Sequence, residues 1–313
     1  MQKVALKAKF FRNNLNRMKK NNGFLRIVSM GLIGAILAIA SCKDEDRLTG
    51  QDTQDISEEA TTDTYYQDMD DMAGVTVSSS SDTQLGEGRV AASTTITIKD
   101  DDRLNCSGTT ITIVPGAGST MQNPNGVITV DFGTTGCADN RGNIRMGQLK
   151  FTYTGYKFQV GSVIKVEAIN YTVNGIMLEG TRTLTNVTGS TDTSPKFNVV
   201  LTGGKATFPD GQVATRESNI TWQWDRVATV ALADDVLTIN PASASGTTRG
   251  GRGYTVTVVE ALKYKRFCGM AVDGIKKYVL DNSKEVTIDY GDGSCDKSLT
   301  VTVNGVTRNI SVN

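Results

Sequence analysis

No histidine occurs among the 313 residues. That absence removes Ser-His-Asp and Cys-His nucleophilic catalysis and every zinc site built on imidazole. Long apolar runs are scarce too: the N-terminal one, Ile27 to Ala40, covers 14 residues, short of the roughly 20 that a helix needs to cross a ~30 Å hydrocarbon core. No charge of one sign dominates, since 33 Lys and Arg balance 33 Asp and Glu. Residues 103–313 carry 21 basic against 17 acidic side chains, so no concentrated basic face is available for phosphate contacts and nucleic acid is not an expected partner.

What is present begins with a targeting segment. Met18-Lys19-Lys20 through Arg26 is basic, Ile27 to Ala40 is small and apolar, and Ile39-Ala40-Ser41-Cys42 closes the stretch. This layout is that of a secretory signal over residues 1–41, with Met1 or Met18 as its start. "IASC" resembles the lipobox of bacterial lipoproteins, which implies that Cys42 is lipidated (palmitate among the acyl groups) and becomes the mature N-terminus. The "KDED" that follows resembles the acidic signal that sends lipoproteins of Bacteroidetes-type bacteria to the outer face of the outer membrane.

Charge is unevenly distributed behind that cysteine. Residues 43–102 hold sixteen Asp and Glu against four Lys and Arg, whereas residues 1–41 hold eight basic residues and no acid. A stretch so acidic, rich in Ser and Thr and poor in large apolar residues, is expected not to offset its own ordering entropy. Residues 42–92 therefore read as the lipidated cysteine plus a mostly disordered acidic tether. Within it, Ser57 or Asp63 as caps and Tyr65, Met69 and Met72 at helical spacing mark a candidate short helix at 57–73.

From Ser93 to Asn313 the pattern changes to short runs that alternate with period two, such as "TTITIV", "QLKFTYTGY", "KFNVVLT" and "YTVTVVEAL", separated by Gly, Asn and Asp. Asn174-Gly175 and Asn304-Gly305 are strong hairpin signals, with Asp210-Gly211 and Asp273-Gly274 beside them. The expected fold class is all-β, either an antiparallel β-sandwich or one large twisted sheet. "VITVDFGTTGCADN" at 127–140 aligns with "EVTIDYGDGSCDKS" at 285–298, which suggests two related β-units. Cys106, Cys137, Cys268 and Cys295 form an even set in an exported chain, a disulfide framework with three connectivities. The repeat favours Cys106–Cys137 and Cys268–Cys295, separated by 31 and 27 residues.

Few residues suggest chemistry. Asp289, Asp292 and Asp296 could converge on Ca2+, a cation that prefers oxygen ligands, but their spacing is not that of an EF-hand and the first copy of the repeat has Thr134 where the second has Asp292. The same "DYGDG" is similar to a strand signature of polycystic-kidney-disease-type extracellular domains, a match of a handful of residues that reads as convergence on a strand-to-turn solution. Trp222 and Trp224 share one face of a strand and are either stacking platforms for sugar rings or core fillers. Asp234-Asp235 is a carboxylate pair of the kind used by glycosidases, though neighbouring strand residues point to opposite faces.

Taken together, "IASCKDED" and the "DYGDGSCD" ending with Cys268-Gly269 make the chain similar to surface-exposed outer-membrane lipoproteins of the Bacteroidetes type with all-β ectodomains. The resemblance implies a lipid anchor in the outer membrane and a domain facing the cell exterior. The expected function is a non-enzymatic binding or structural role toward polysaccharide or another envelope protein. The alternative is a carboxylate-dependent glycan hydrolase or lyase.

Overall fold

The structure, a computed structural model, describes residues 47–84, 93–99, 101–120, 122–140, 142–156, 159–191, 193–225, 236–265, 271–281, 283–296 and 298–311. Among the described residues one helix, α1 (Gly50–Gln84), precedes sixteen strands: β1 (Thr94–Ile96), β2 (Thr110–Pro115), β3 (Asn125–Asp131), β4 (Cys137–Ala138), β5 (Ile144–Thr154), β6 (Val163–Val173), β7 (Ile176–Asn186), β8 (Lys196–Thr207), β9 (Val213–Asp225), β10 (Val236–Ile239), β11 (Ala242–Thr247), β12 (Gly253–Lys265), β13 (Ala271–Leu280), β14 (Lys284–Asp292), β15 (Ser298–Val303) and β16 (Val306–Ser311). All sixteen belong to one antiparallel sheet, in which neighbours in sequence are with few exceptions neighbours in space. The fold is all-β as expected, and of the two architectures considered it is the single large sheet.

The period-two pattern explains which face is buried. In β3, Gly126, Ile128 and Val130 point inward and their neighbours outward, and β14 and β15 repeat the arrangement with Val286, Ile288, Leu299 and Val301. Asn174 and Asn304 adopt positive φ and are followed by Gly175 and Gly305, also at positive φ, as two-residue hairpins require. β10 and β11 both lie between β9 and β12; Pro241, which cannot donate to the ladder, separates them. Register shifts in β5–β6, β6–β7, β7–β8 and β8–β9 are bulges, which bend strands and increase twist.

Asp273-Gly274 is one point where the expectation fails. It lies inside β13, at a register shift opposite β14, with Gly274 at φ 97°. A Cβ there would come within 2.2 Å of the Ala261 carbonyl oxygen, so glycine serves a bulge and close strand approach, whereas the sequence pattern suggested a hairpin.

The repeat is genuine at the level of local structure. The Gly133 N–H donates to Asp131 Oδ1 at 2.8 Å and the Gly291 N–H to Asp289 Oδ1 at 2.9 Å, and both glycines have positive φ. Phe132 and Tyr290, the aromatic residues between, are both buried. Cys106 and Cys137 are bridged, with Cα atoms 5.6 Å apart, and Cys295 is also disulfide-bonded. Cys268, its expected partner, lies outside the described residues.

The largest correction concerns the acidic tether. Gly50–Gln84 is a 35-residue helix, about 50 Å long at 1.5 Å per residue, and it packs into the core of the sheet. It starts seven residues ahead of the candidate helix at 57–73 because Thr49 caps it: the Asp52 N–H donates to Thr49 Oγ1 at 3.1 Å and the Thr49 N–H returns to Asp52 Oδ2 at 2.8 Å, a reciprocal capping box. Tyr66, Met69, Met72, Ala73 and Val77 join the cluster built by β2 to β9, and Ile56 joins the one built by β10 to β15. The folded unit therefore begins ahead of Gly50, well upstream of the boundary expected at residue 93.

Candidate functional site

Between Gly50 and Gln84 there are nine Asp and Glu and no Lys or Arg. Burial along the helix nevertheless follows helical spacing, through Asp52, Ile56, Glu59, Thr62, Tyr66, Met69, Ala73 and Val77. Carboxylates thus occupy part of the face that apolar residues occupy in an ordinary amphipathic helix. A buried carboxylate needs a counter-charge, and the sheet supplies one at nearly every turn.

The cations reach the interior because they stand in phase with apolar residues on alternating strands. Arg182 points inward beside Leu184 in β7, Arg216 beside Ile220 in β9, Lys276 beside Tyr278 in β13, and Arg145 stands on the buried face of β5. Arg182 and Arg145 are only 1% and 2% exposed, a position that arginine rarely takes unless paired.

The pairs run in order along the helix. Asp52 meets Arg252 at 2.8 Å and Lys284 at 2.5 Å, and Asp55 meets Arg252 at 3.0 Å. Glu58 meets Arg249 at 2.8 Å. Glu59 pairs with Arg216 and lies 3.8 Å from Lys276, while Asp63 meets the same Arg216 at 2.8 Å. Asp68 meets Arg145 at 2.6 Å and Arg103 at 2.8 Å, and Asp71 meets Arg103 at 2.7 Å. Asp70 accepts from Arg182 Nε at 2.6 Å. Between the pairs, the Tyr66 hydroxyl donates to the carbonyls of Glu179 at 2.7 Å and Lys205 at 3.2 Å.

Protonation follows from this geometry. Burial would raise the Asp52 carboxyl, but hydrogen bonds from Lys284, the Thr49 backbone and Arg252 outweigh it and hold it at about 2. Burial acts the same way on Asp63, and Arg216, Lys276 and Arg182 reverse it. For Asp70 burial wins over the attraction of Arg182, so its carboxyl sits above the usual range. Burial would discharge Lys276, yet Glu59 and Asp63 with the phenols of Tyr290 and Tyr264 hold it well above the ordinary lysine value. Each of these carboxyl groups faces at least one cation.

One small cavity opens beside it, lined by Glu58, Glu59, Tyr66, Thr215, Arg216 and Thr248, with an internal volume of about 10 Å³. That is room for about one water molecule, beside the side chains of Glu58, Glu59 and Arg216.

The residues singled out in the sequence are placed elsewhere. Asp289, Asp292 and Asp296 each accept a hydrogen bond from the backbone N–H two residues on, those of Gly291, Ser294 and Ser298, at 2.9, 3.1 and 2.9 Å, a local Asx-turn use of each carboxylate. Among the described residues no cluster of three or more metal-ligating side chains occurs. Trp222 packs at a tilt against Phe197, with ring centroids 4.9 Å apart, and touches both core clusters. Trp224, also half-buried, lies two residues further toward the strand end, its N–H donating to the Pro195 carbonyl at 3.0 Å. Cys42, Asp234 and Asp235 lie outside the described residues.

Two signals for the helix were legible: the Thr49-Gly50-Gln51-Asp52 capping pattern, and Arg or Lys in phase with apolar residues in "RTLTN", "RESNITW" and "IKKYVL". No protein-family model, curated protein or solved structure matches this chain.

Proposed function

We propose that the chain is a lipoprotein anchored through Cys42 in the outer membrane, facing the cell exterior, with a non-enzymatic binding or structural role toward polysaccharide or another envelope protein. The observation that carries this reading is the junction of two features: a lipobox-like "IASC" ends five residues ahead of Arg47, whose carbonyl accepts from Lys284 Nζ at 2.9 Å. An anchor placed there couples directly to a buried helix and through it to the whole sheet. The charged groups of the interior support the non-enzymatic part, because they are consumed in fixed ion pairs that hold helix to sheet. A general acid or base needs a group free to exchange its proton with a substrate.

The test has two steps. Lipid labelling of the intact chain should be lost in Cys42→Ser, and persistent labelling would sink the anchor. The Cys42→Ser protein, released from the membrane and retaining α1, should then be screened on a glycan array and by pull-down against envelope proteins. Bond cleavage in any glycan substrate would favour the hydrolase or lyase reading instead.

A further inference from the structure

We infer that one edge of the sheet faces the lipid bilayer, with the corner formed by Thr248–Arg252 and by Asp281, Ser283 and Lys284 nearest to it; this rests on the lipid-anchor reading of Cys42.

The argument starts from topology. The antiparallel order puts the links β6–β7 (Asn174-Gly175), β8–β9 (208–212), β11–β12 (248–252), β13–β14 (281–283) and β15–β16 (Asn304-Gly305) on one edge. The links β2–β3, β5–β6, β7–β8 and β14–β15 fall on the other. Helix α1 runs along the first edge, as three contacts with its turns show. Arg252 joins Asp52 of the helix to Asp281 of one turn at 2.8 and 2.7 Å. Arg249 joins Glu58 to Asp210 of another. Asn174 Nδ2 donates to the Tyr65 hydroxyl at 2.9 Å.

Covalent reach supplies the second step. Arg47, which lies against Lys284, is five residues on from Cys42, and five Cα-to-Cα steps span at most about 18 Å. An acyl-bearing Cys42 sits at the boundary of the hydrocarbon, beneath some 5–8 Å of headgroups. The corner that holds Arg47 cannot then stand far above the lipid surface.

The chemistry of the corner fits close apposition without insertion. Apart from Arg47, its cations are matched by acids: Arg252 with Asp281, Lys284 with Asp52, Lys277 with Glu285. The turn tips carry Gly251, Ser283, Asn304 and Gly305, all exposed, and the exposed large apolar residues of this edge stand singly on separate strands, Ile144 at 48%, Val213 at 37% and Val306 at 36%. Such a surface offers headgroups hydrogen bonds and no hydrophobic wedge. The opposite edge lies about 35 Å away along an eleven-residue strand such as β7. That edge carries Trp224, Gln223 and Ser194, and is the one presented to a partner.

The experiment places a fluorophore by site-specific incorporation at Ser283, or at Thr188 in the β7–β8 link, in the full lipidated chain on vesicles whose headgroups carry a quencher. Co-flotation with the vesicles is scored first. The expected result is severalfold stronger quenching at Ser283 than at Thr188. Equal or stronger quenching at Thr188 in a chain that floats would overturn the orientation while leaving the anchor intact. A chain that does not float would overturn the anchor and the orientation with it.

Discussion

Arg182 of β7 and Asp70 of α1 stand 112 residues apart in the chain and meet side on, with Nε to Oδ1 at 2.6 Å and a second contact through Nη2, both side chains buried. Such a pair adds little net stability, since desolvating two charges offsets their attraction, but breaking it leaves an uncompensated charge. Its contribution is to register, because the helix cannot slide or rotate by a residue without separating matched charges.

Asp70→Leu, which leaves Arg182 buried with neither a counter-charge nor a hydrogen-bond acceptor, should therefore destabilise the protein by about 3–5 kcal/mol. The double substitution Asp70→Leu with Arg182→Leu should recover most of the loss. Denaturant unfolding of the three proteins checks this, and a double variant as unstable as the single one would show that the pair is not isolated in the way described.

Acid should release the helix in a defined window. Asp52, held at about 2, and Asp63, Asp101 and Asp139, all held below the ordinary carboxylate range against the opposing pull of burial, contribute stability that is complete above the unfolded carboxylate value near 4. It is lost as pH falls from about 4 toward 2. Asp70 has the opposite sign: burial raises it, so its protonation comes first and favours the folded state. Melting temperature should hold or rise slightly on mild acidification and then fall steeply. A steady decline starting near neutrality would contradict this.

Removing the helix should remove the fold. A chain beginning at residue 93 lacks Tyr66, Met69, Met72 and Val77, each of which contributes about 1.5–3 kcal/mol by burial, and leaves Arg182, Arg216 and Lys276 without the helix carboxylates that pair with them. It should be insoluble or molten by near-ultraviolet circular dichroism and dye binding, while a chain beginning at residue 47 should be native.

The helix start offers a milder test. Thr49→Ala removes one half of the capping box and should cost about 1 kcal/mol, read as a shift of the denaturation midpoint with unchanged slope.

Loss of the Cys106–Cys137 bridge should be felt throughout the N-terminal unit. It closes a loop of 31 residues, worth roughly 3–4 kcal/mol in the chain-entropy view, and Cys106→Ala with Cys137→Ala should lower stability by about that amount. An unchanged midpoint would mean that the reduced chain already holds the loop together.

What the sequence by itself determined was everything local. Alternation marked the strands, and Asn174-Gly175 and Asn304-Gly305 marked two hairpins, because a side chain's phase and a turn's φ values depend on near neighbours. Only the tertiary structure decided the fate of residues 50–84. A carboxylate is costly to bury alone and acceptable against an arginine, and the arginines that settle the matter lie as far as Asp52 from Arg252, 200 residues on. Composition read the acid as solvent-facing since residues 50–84 hold no Lys or Arg; the folded sheet brings the bases to it. The same reason moved Asp273-Gly274 from a turn to a bulge, for only the approach of β12 and β14 shows what a glycine there must admit.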